Sequence, residues 1–193
     1  MKERDVREPS LHFVFWYVNR IVPNIIGRIR DQLKKAPPRR DAFDLNEAVN
    51  EVTVLARSVI LSNGVSVQTR LAEGLGSLHG DRVQLQQVLL NLILNAVEAM
   101  GSVETGPREL LISTEQDQTG VLVAVHDSGP GIDPADRDRV FETFYTTKPS
   151  GTGMGLSICR SIVDAHGGKL WAEANDPRGA VFRFTVPGVQ QDS

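Results

Sequence analysis

The sequence has one cysteine, no apolar run long enough to cross a bilayer and no surplus of basic charge. A lone Cys159 excludes an internal disulfide and a cysteine-rich metal site, agrees with a reducing compartment, and reads as a core residue of a helix. The longest apolar stretch, Phe13 to Val18, is far shorter than the roughly 20 residues a spanning helix needs, and no small-residue cleavage site follows it. A cytoplasmic chain without direct membrane contact is expected. The net charge of −3 leaves nothing to neutralise a phosphate backbone, so no nucleic-acid partner is expected either. What is present is ordinary: 193 residues, 40% hydrophobic and 23% charged, enough for one well-cored domain and an appendage.

Hydrophobic spacing divides the chain. Ile21, Ile25, Ile29 and Leu33 recur at i, i+4 opposite Arg28, Arg30, Asp31 and Lys34, which predicts a helix within residues 10–35 with a kink or start at Pro23. Pro37 and Pro38 forbid its continuation and set a boundary between residues 1–40 and 41–193. Asp44 with Glu47 three residues on forms a capping-box pattern for a helix running to the Asn63-Gly64 turn. Val65, Val67, Thr69 and Leu71 alternate as a strand does. A second helix spans Asp81 to Gly101, a hairpin pairs 109–115 with 121–127, and a third helix runs from Met154 to His166. A last hairpin joins 169–174 to 180–186. Three helices and five strands, the strands mostly paired as sequential hairpins, predict an α+β two-layer sandwich with the helices on one face of a mixed sheet.

Several clusters carry chemistry. Asn91 and Asn95 project from one face of an otherwise apolar helix, where a buried amide needs a partner. Helix-to-loop hydrogen bonds would supply one; so would Mg²⁺, which takes few protein oxygens alongside phosphates and water. Asp127-Ser128-Gly129-Pro130-Gly131 puts a carboxylate at a strand end beside glycines that permit close approach, suiting either a tight turn or recognition of an exocyclic amine. Gly151-Thr152-Gly153-Met154-Gly155-Leu156 opens a helix, where free N–H groups and the helix dipole favour an anion, though a flexible hinge would use the same glycines. Phe141, Phe144, Tyr145 and Lys148 between them suggest a loop packed down by its aromatics that brings a cation to a phosphate.

In this order the clusters resemble the ATP-binding domain of sensor histidine kinases, in the superfamily that also holds gyrase, Hsp90 and MutL. The stretch from Gln87 to Ala96 is similar to the N box, Asp127–Gly131 to the G1 box, Phe141–Phe144 to the F box and Gly151–Leu156 to the G2 box; the resemblance covers Asp44 to Pro187. It is most similar to the oxygen-sensor and nitrogen-regulation group, which shares Phe-Tyr-Thr-Thr-Lys in the lid. The resemblance implies the Bergerat ATP-binding fold, ATP and Mg²⁺ as cofactors, and transfer of the γ-phosphoryl to a histidine on a dimerisation hairpin, supplied in cis or trans, for relay to a response regulator receiver domain. It implies Asn95 as the Mg²⁺ ligand with Asn91 beside it and Asp127 as acceptor of the adenine amine. Gly129 and Gly131 would then lie along the base. Lys148 with Gly151, Thr152, Gly153, Gly155 and Leu156 would hold phosphates under a lid from about residue 132 to 152, and Thr185 would assist at adenine through water.

The pattern departs from that family in two places. His12, the only histidine before residue 40, is followed by Phe13 where an acid is normal, so it reads as non-catalytic and residues 24–35 as the tail of the second hairpin helix. Glu98 lies one turn beyond Asn95, where many relatives place a cation, and Arg137 or Arg139 stands open as a substitute. His126 and His166 read as structural. ATP hydrolases of the superfamily carry a glutamate as general base where this chain has Asn91, and an amide cannot take that proton. The alternative from another class is a nucleotide-binding module or scaffold without kinase activity.

Overall fold

Asp44 starts the first helix by accepting the backbone N–H groups of Asn46 (2.8 Å) and Glu47 (3.2 Å). The Glu47 side chain does not close the capping box; it pairs with Arg82 at 3.0 Å, because the next helix brings a guanidinium within reach. The computed structural model describes residues 41–103, 105–117, 120–147 and 151–188, all within the unit Arg39–Ser193. The helix expected over residues 10–35, His12, the boundary near residue 40 and Lys148 lie outside the described residues.

In chain order the elements are β1 (Asp41–Phe43), α1 (Leu45–Ser62), β2 (Ser66–Leu71), β3 (Leu78–Gly80), α2 (Arg82–Gly101), β4 (Glu109–Asp117), β5 (Gly120–Asp127), α3 (Gly155–Ala165), β6 (Leu170–Ala174) and β7 (Ala180–Pro187), with short 3₁₀ turns at Pro134–Asp136 and Arg139–Phe141. β1 and β3 form a separate antiparallel pair that three-residue strands are too short to announce by alternation. The main sheet has the order β2-β4-β5-β7-β6. β2 runs parallel to β4 and the other pairs are antiparallel, so the sheet is mixed as expected.

Register puts Leu110, Ile112, Val123, Val125, Phe182 and Phe184 on one face, and these join the apolar sides of α1, α2 and α3 in a single core. On α2 the residues Leu85, Val88, Leu89, Leu92, Ile93, Ala96, Val97 and Met100 are all buried. No described helix is long and apolar enough to cross a membrane.

His166, at the end of α3, is the staple between two helices. Its Nε2 accepts the Asp81 backbone N–H at 2.9 Å while Nδ1 lies 2.8 Å from the Ile162 carbonyl, a pair of contacts met by the neutral Nδ1–H form. Asp81 in turn caps α2 by accepting from Gln84 N–H at 3.1 Å. The opposite face of the sheet carries half-exposed Leu111, Leu122, His126, Trp171, Arg183 and Thr185.

On that face, burial and then the nearby Arg183 hold His126 below its ordinary pKa, opposed by a hydrogen bond with Asn175. The unfolded chain therefore takes up the proton first as pH falls, so this histidine costs stability below about pH 6.5 and nothing well above it. We predict that urea unfolding free energy drops less between about pH 7.5 and pH 5 in His126→Gln than in the parent. Equal drops would contradict the assignment.

Candidate nucleotide-binding site

β5 ends at Asp127, which faces the helices and is 2% exposed. Its Oδ1 accepts the backbone N–H groups of Gly129 (2.8 Å) and Ala180 (3.3 Å), and its main-chain oxygen accepts from Asn175 Nδ2 (2.9 Å). The carboxylate is thus held at a fixed angle at the mouth of the sheet. A Cβ on Gly129 would lie 2.8 Å from Asp127 Oδ1 and 3.4 Å from Ala99 Cβ, so the glycine is required by the chain's own close packing. Gly131, at φ 86°, presses on the Gly179 carbonyl.

Along α2, Asn91, Asn95 and Ala99 stand at i, i+4 and i+8 and share one stripe. At one end of it Asn91 Nδ2 donates to Cys159 Sγ of α3 at 3.6 Å. At the other, Ala99 meets Gly129 in the turn after Asp127. Asn95 lies between them, half-buried, on the seam where the β5 turn and α3 both contact α2. The structure therefore brings Asn91, Asn95, Asp127, Gly129 and α3 to one side of α2.

α3 begins at Gly155, and its N-cap residue, Met154, provides no side-chain cap, whereas α1 and α2 are capped by Asp44 and Asp81. A Cβ on Gly155 would meet nothing within 4 Å, so the helix start is uncrowded on that side among the described residues. This suits a phosphate, since the helix N-terminus presents donors and positive potential. Gly151 and Thr152 are exposed and precede it, while Leu156 packs against the core. Gly153, at φ 66°, runs so close to the backbone of Phe144 and Tyr145 that no Cβ would fit, and its carbonyl accepts the Phe144 N–H at 3.0 Å.

The lid differs from expectation. Of Phe141, Phe144 and Tyr145, Phe141 is the one that is buried, 3% exposed, edge-on to Phe182 with ring centroids 6.2 Å apart and the Arg160 guanidinium 4.5 Å from its centroid. Phe144 is 73% exposed because the crossing with Gly153 turns its backbone to φ 70°. Arg139 engages Asp136 at 2.8 Å and the Tyr145 ring at 4.7 Å.

Thr185 requires a correction. It sits on the opposite face of the sheet from Asp127, paired with Leu122, and its hydroxyl accepts the Lys169 N–H at 3.0 Å. It is five residues along β7 from Ala180, about 16 Å at roughly 3.3 Å per residue. The strand's alternation aims it away from the purine side. Sequence reasoning missed Asn175, Gly179 and Ala180, which brace Asp127 from the β6–β7 turn; the Asn-Asp-Pro-Arg-Gly run signalled a turn but not its long-range partner.

Cys159 is buried as expected, and burial pushes its thiol up to about 12, with the Asn91 hydrogen bond acting weakly in the other direction. As the chain's single thiol, it should react with an aromatic disulfide reagent at least about 100-fold more slowly in the native protein than in urea. Native labelling at the unfolded rate would contradict this packing.

Residues 80–190 match the family described as "Histidine kinase-, DNA gyrase B-, and HSP90-like ATPase". Sensor histidine kinase TmoS of Ectopseudomonas mendocina is 37% identical over 166 residues, 85% of this chain and 17% of that protein. Sensor protein FixL of Bradyrhizobium diazoefficiens is 38% identical over 169 residues, 87% of this chain and 33% of its own length. The chain thus spans a third or less of these relatives. Among solved structures, the catalytic domain of histidine kinase ThkA superposes with TM-score 0.70 at 40% identity, covering 77% of this chain and 95% of that one. ThkA in complex with its response regulator TrrA superposes with TM-score 0.74 at 30% identity, covering 100% of this chain and 55% of that one. With more than half of the chain matched and the Asn stripe, strand-end Asp127 and uncapped α3 in place, the chain belongs to the histidine kinase-, DNA gyrase B- and HSP90-like ATPase family, as the catalytic ATP-binding domain of a sensor histidine kinase.

Proposed function

We propose that this domain holds Mg-ATP across α2 and hands its γ-phosphoryl to a histidine on a dimerisation hairpin, in the cytoplasm, for relay to a response regulator. The supporting observation is the α2 stripe, where Asn91 reaches α3 and Ala99 reaches the Asp127 turn with Asn95 between them. Asp127 accepts the adenine amine, and the amide groups opening α3 bind the phosphates together with Gly151, Thr152, Gly153 and Lys148. Asn95 is the residue that would hold Mg²⁺ through its side-chain oxygen. Mg²⁺, when bound, neutralises charge on the phosphate oxygens.

In the transfer the bond from γ-phosphorus to the βγ-bridging oxygen breaks as a P–N bond forms on the imidazole; ADP leaves, and the imidazole proton passes to a base on the acceptor protein. Asn91, an amide fixed against the protonated Cys159 thiol, has no basic lone pair with which to activate water. It positions without hydrolysing. The solved complex of ThkA with TrrA supports a response regulator as the eventual partner of the whole protein.

Calorimetric titration tests the pocket. A charge-assisted hydrogen bond is worth about 1.5–3 kcal/mol, so Asp127→Asn should weaken ATP binding about 10- to 100-fold. Asn95→Ala should instead chiefly abolish the difference between titrations with magnesium and with chelator. Small and equal effects from both would overturn the pocket, and failure to phosphorylate a supplied histidine hairpin would overturn the transfer.

A further inference from the structure

The β5–β7 ladder runs from Gly120 opposite Pro187 to His126 opposite Val181 and stops one step before Asp127 would face Ala180. At that step the usual roles are exchanged. The Ala180 N–H donates to the Asp127 carboxylate at 3.3 Å, and the Asp127 carbonyl accepts from the Asn175 side chain at 2.9 Å. Asn175 supplies the donor that a continued ladder would have given this carbonyl, which leaves the Ala180 N–H to the carboxylate.

Asn175 is itself fixed. Its backbone N–H closes the β6–β7 turn on the Gly179 carbonyl at 2.9 Å, and its Oδ1 accepts the Asp176 N–H at 3.1 Å. Gly179, at φ 107°, lies against the Asp127 carbonyl so closely that a Cβ has no room. Gly179 thereby crowds one side of that carbonyl. Take away that donor, and the carbonyl competes for the Ala180 N–H, loosening a bond that holds the carboxylate angle.

We infer that Asn175 is a positioning residue for purine recognition, acting by fixing the orientation of the Asp127 carboxylate. The inference rests on the assignment of Asp127 as acceptor of the purine amine.

The test uses ATP and inosine triphosphate, which carries an oxo group where ATP has its exocyclic amine. Dissociation constants for both magnesium complexes are measured on the full chain, for the parent, Asn175→Asp and Asp127→Asn. Asn175→Asp keeps the acceptor for Asp176 N–H, replaces the donor to Asp127 by an acceptor and adds one negative charge, whose repulsion of the triphosphate is common to both nucleotides and cancels in their ratio. It should weaken ATP about 10-fold and inosine triphosphate less than about 2-fold, narrowing the preference about 5-fold or more, a magnitude set by one hydrogen bond near a charged group. Equal losses for both nucleotides, or no loss for either, would reduce Asn175 to a turn residue and overturn the inference. If Asp127→Asn narrows the preference while Asn175→Asp does not, the inference alone fails. If Asp127→Asn leaves the preference intact, the assignment of Asp127 fails and takes the inference with it. Should Asn175→Asp not fold by circular dichroism, the same ratio is read from Asn175→Ala; loss of fold in both variants also overturns the inference.

Discussion

Helix α2 is touched along a single stripe by two segments that are far apart in sequence, the turn after β5 at Ala99 and α3 at Asn91. The helical repeat places Asn95 between those contacts, so the amide pair, the buried carboxylate and the glycine-rich helix start cannot be separated without unpacking α2. Its apolar side is committed to the core through Leu92, Ile93, Ala96 and Val97, each 1% exposed or less. The stripe is rigid because the core fixes it. His166 adds a second restraint by holding the Asp81 N–H at the helix start.

Around this seam the domain caps two helix starts with its own side chains and leaves a third without one. α1 and α2 begin on aspartate caps, whereas α3 begins on Met154 without one, beside a glycine uncrowded on its Cβ side among the described residues. A capping side chain there would occupy the donors that a phosphate needs. The β6–β7 turn works in the opposite sense: Asn175 satisfies Asp127, and Arg178 reaches the carbonyls of Thr105 and Pro107 at 3.2 Å each. One turn thus braces both the carboxylate and the loop that leaves α2. Preorganisation of this kind lets the pocket discriminate by hydrogen bonding, since a misplaced carboxylate gains little from a purine amine.

Most of the fold was legible because its signals are periodic and local. The stripe of α2, the aspartates before α1 and α2, and the two hairpins appear in the sequence as spacing, and the structure ends these elements within a few residues of the expected points. The asparagine pair and the strand-end Asp127 were legible as residues to watch, since polar groups on buried faces need an explanation. Less was legible where a residue's partner is distant. Glu47 pairs with Arg82 instead of closing its own cap, and Phe144 faces outward because of a crossing with Gly153 nine residues on. Thr185 drew attention by motif position, yet strand alternation sets it on the far face, while Asn175 looked like a plain turn residue. β1 and β3 are too short to carry a pattern at all.

The claim on which all of this turns is that the Asp127 turn, the α2 stripe and the start of α3 line one cavity for one ligand. A heteronuclear NMR titration of the chain with a non-hydrolysable ATP analogue and magnesium reports on it directly. The account predicts that Asn91, Asn95, Gly129 and Gly155 resonances shift together along one binding curve. Shifts confined to one of these segments, or gathered on the sheet face that carries His126 and Trp171, would contradict it.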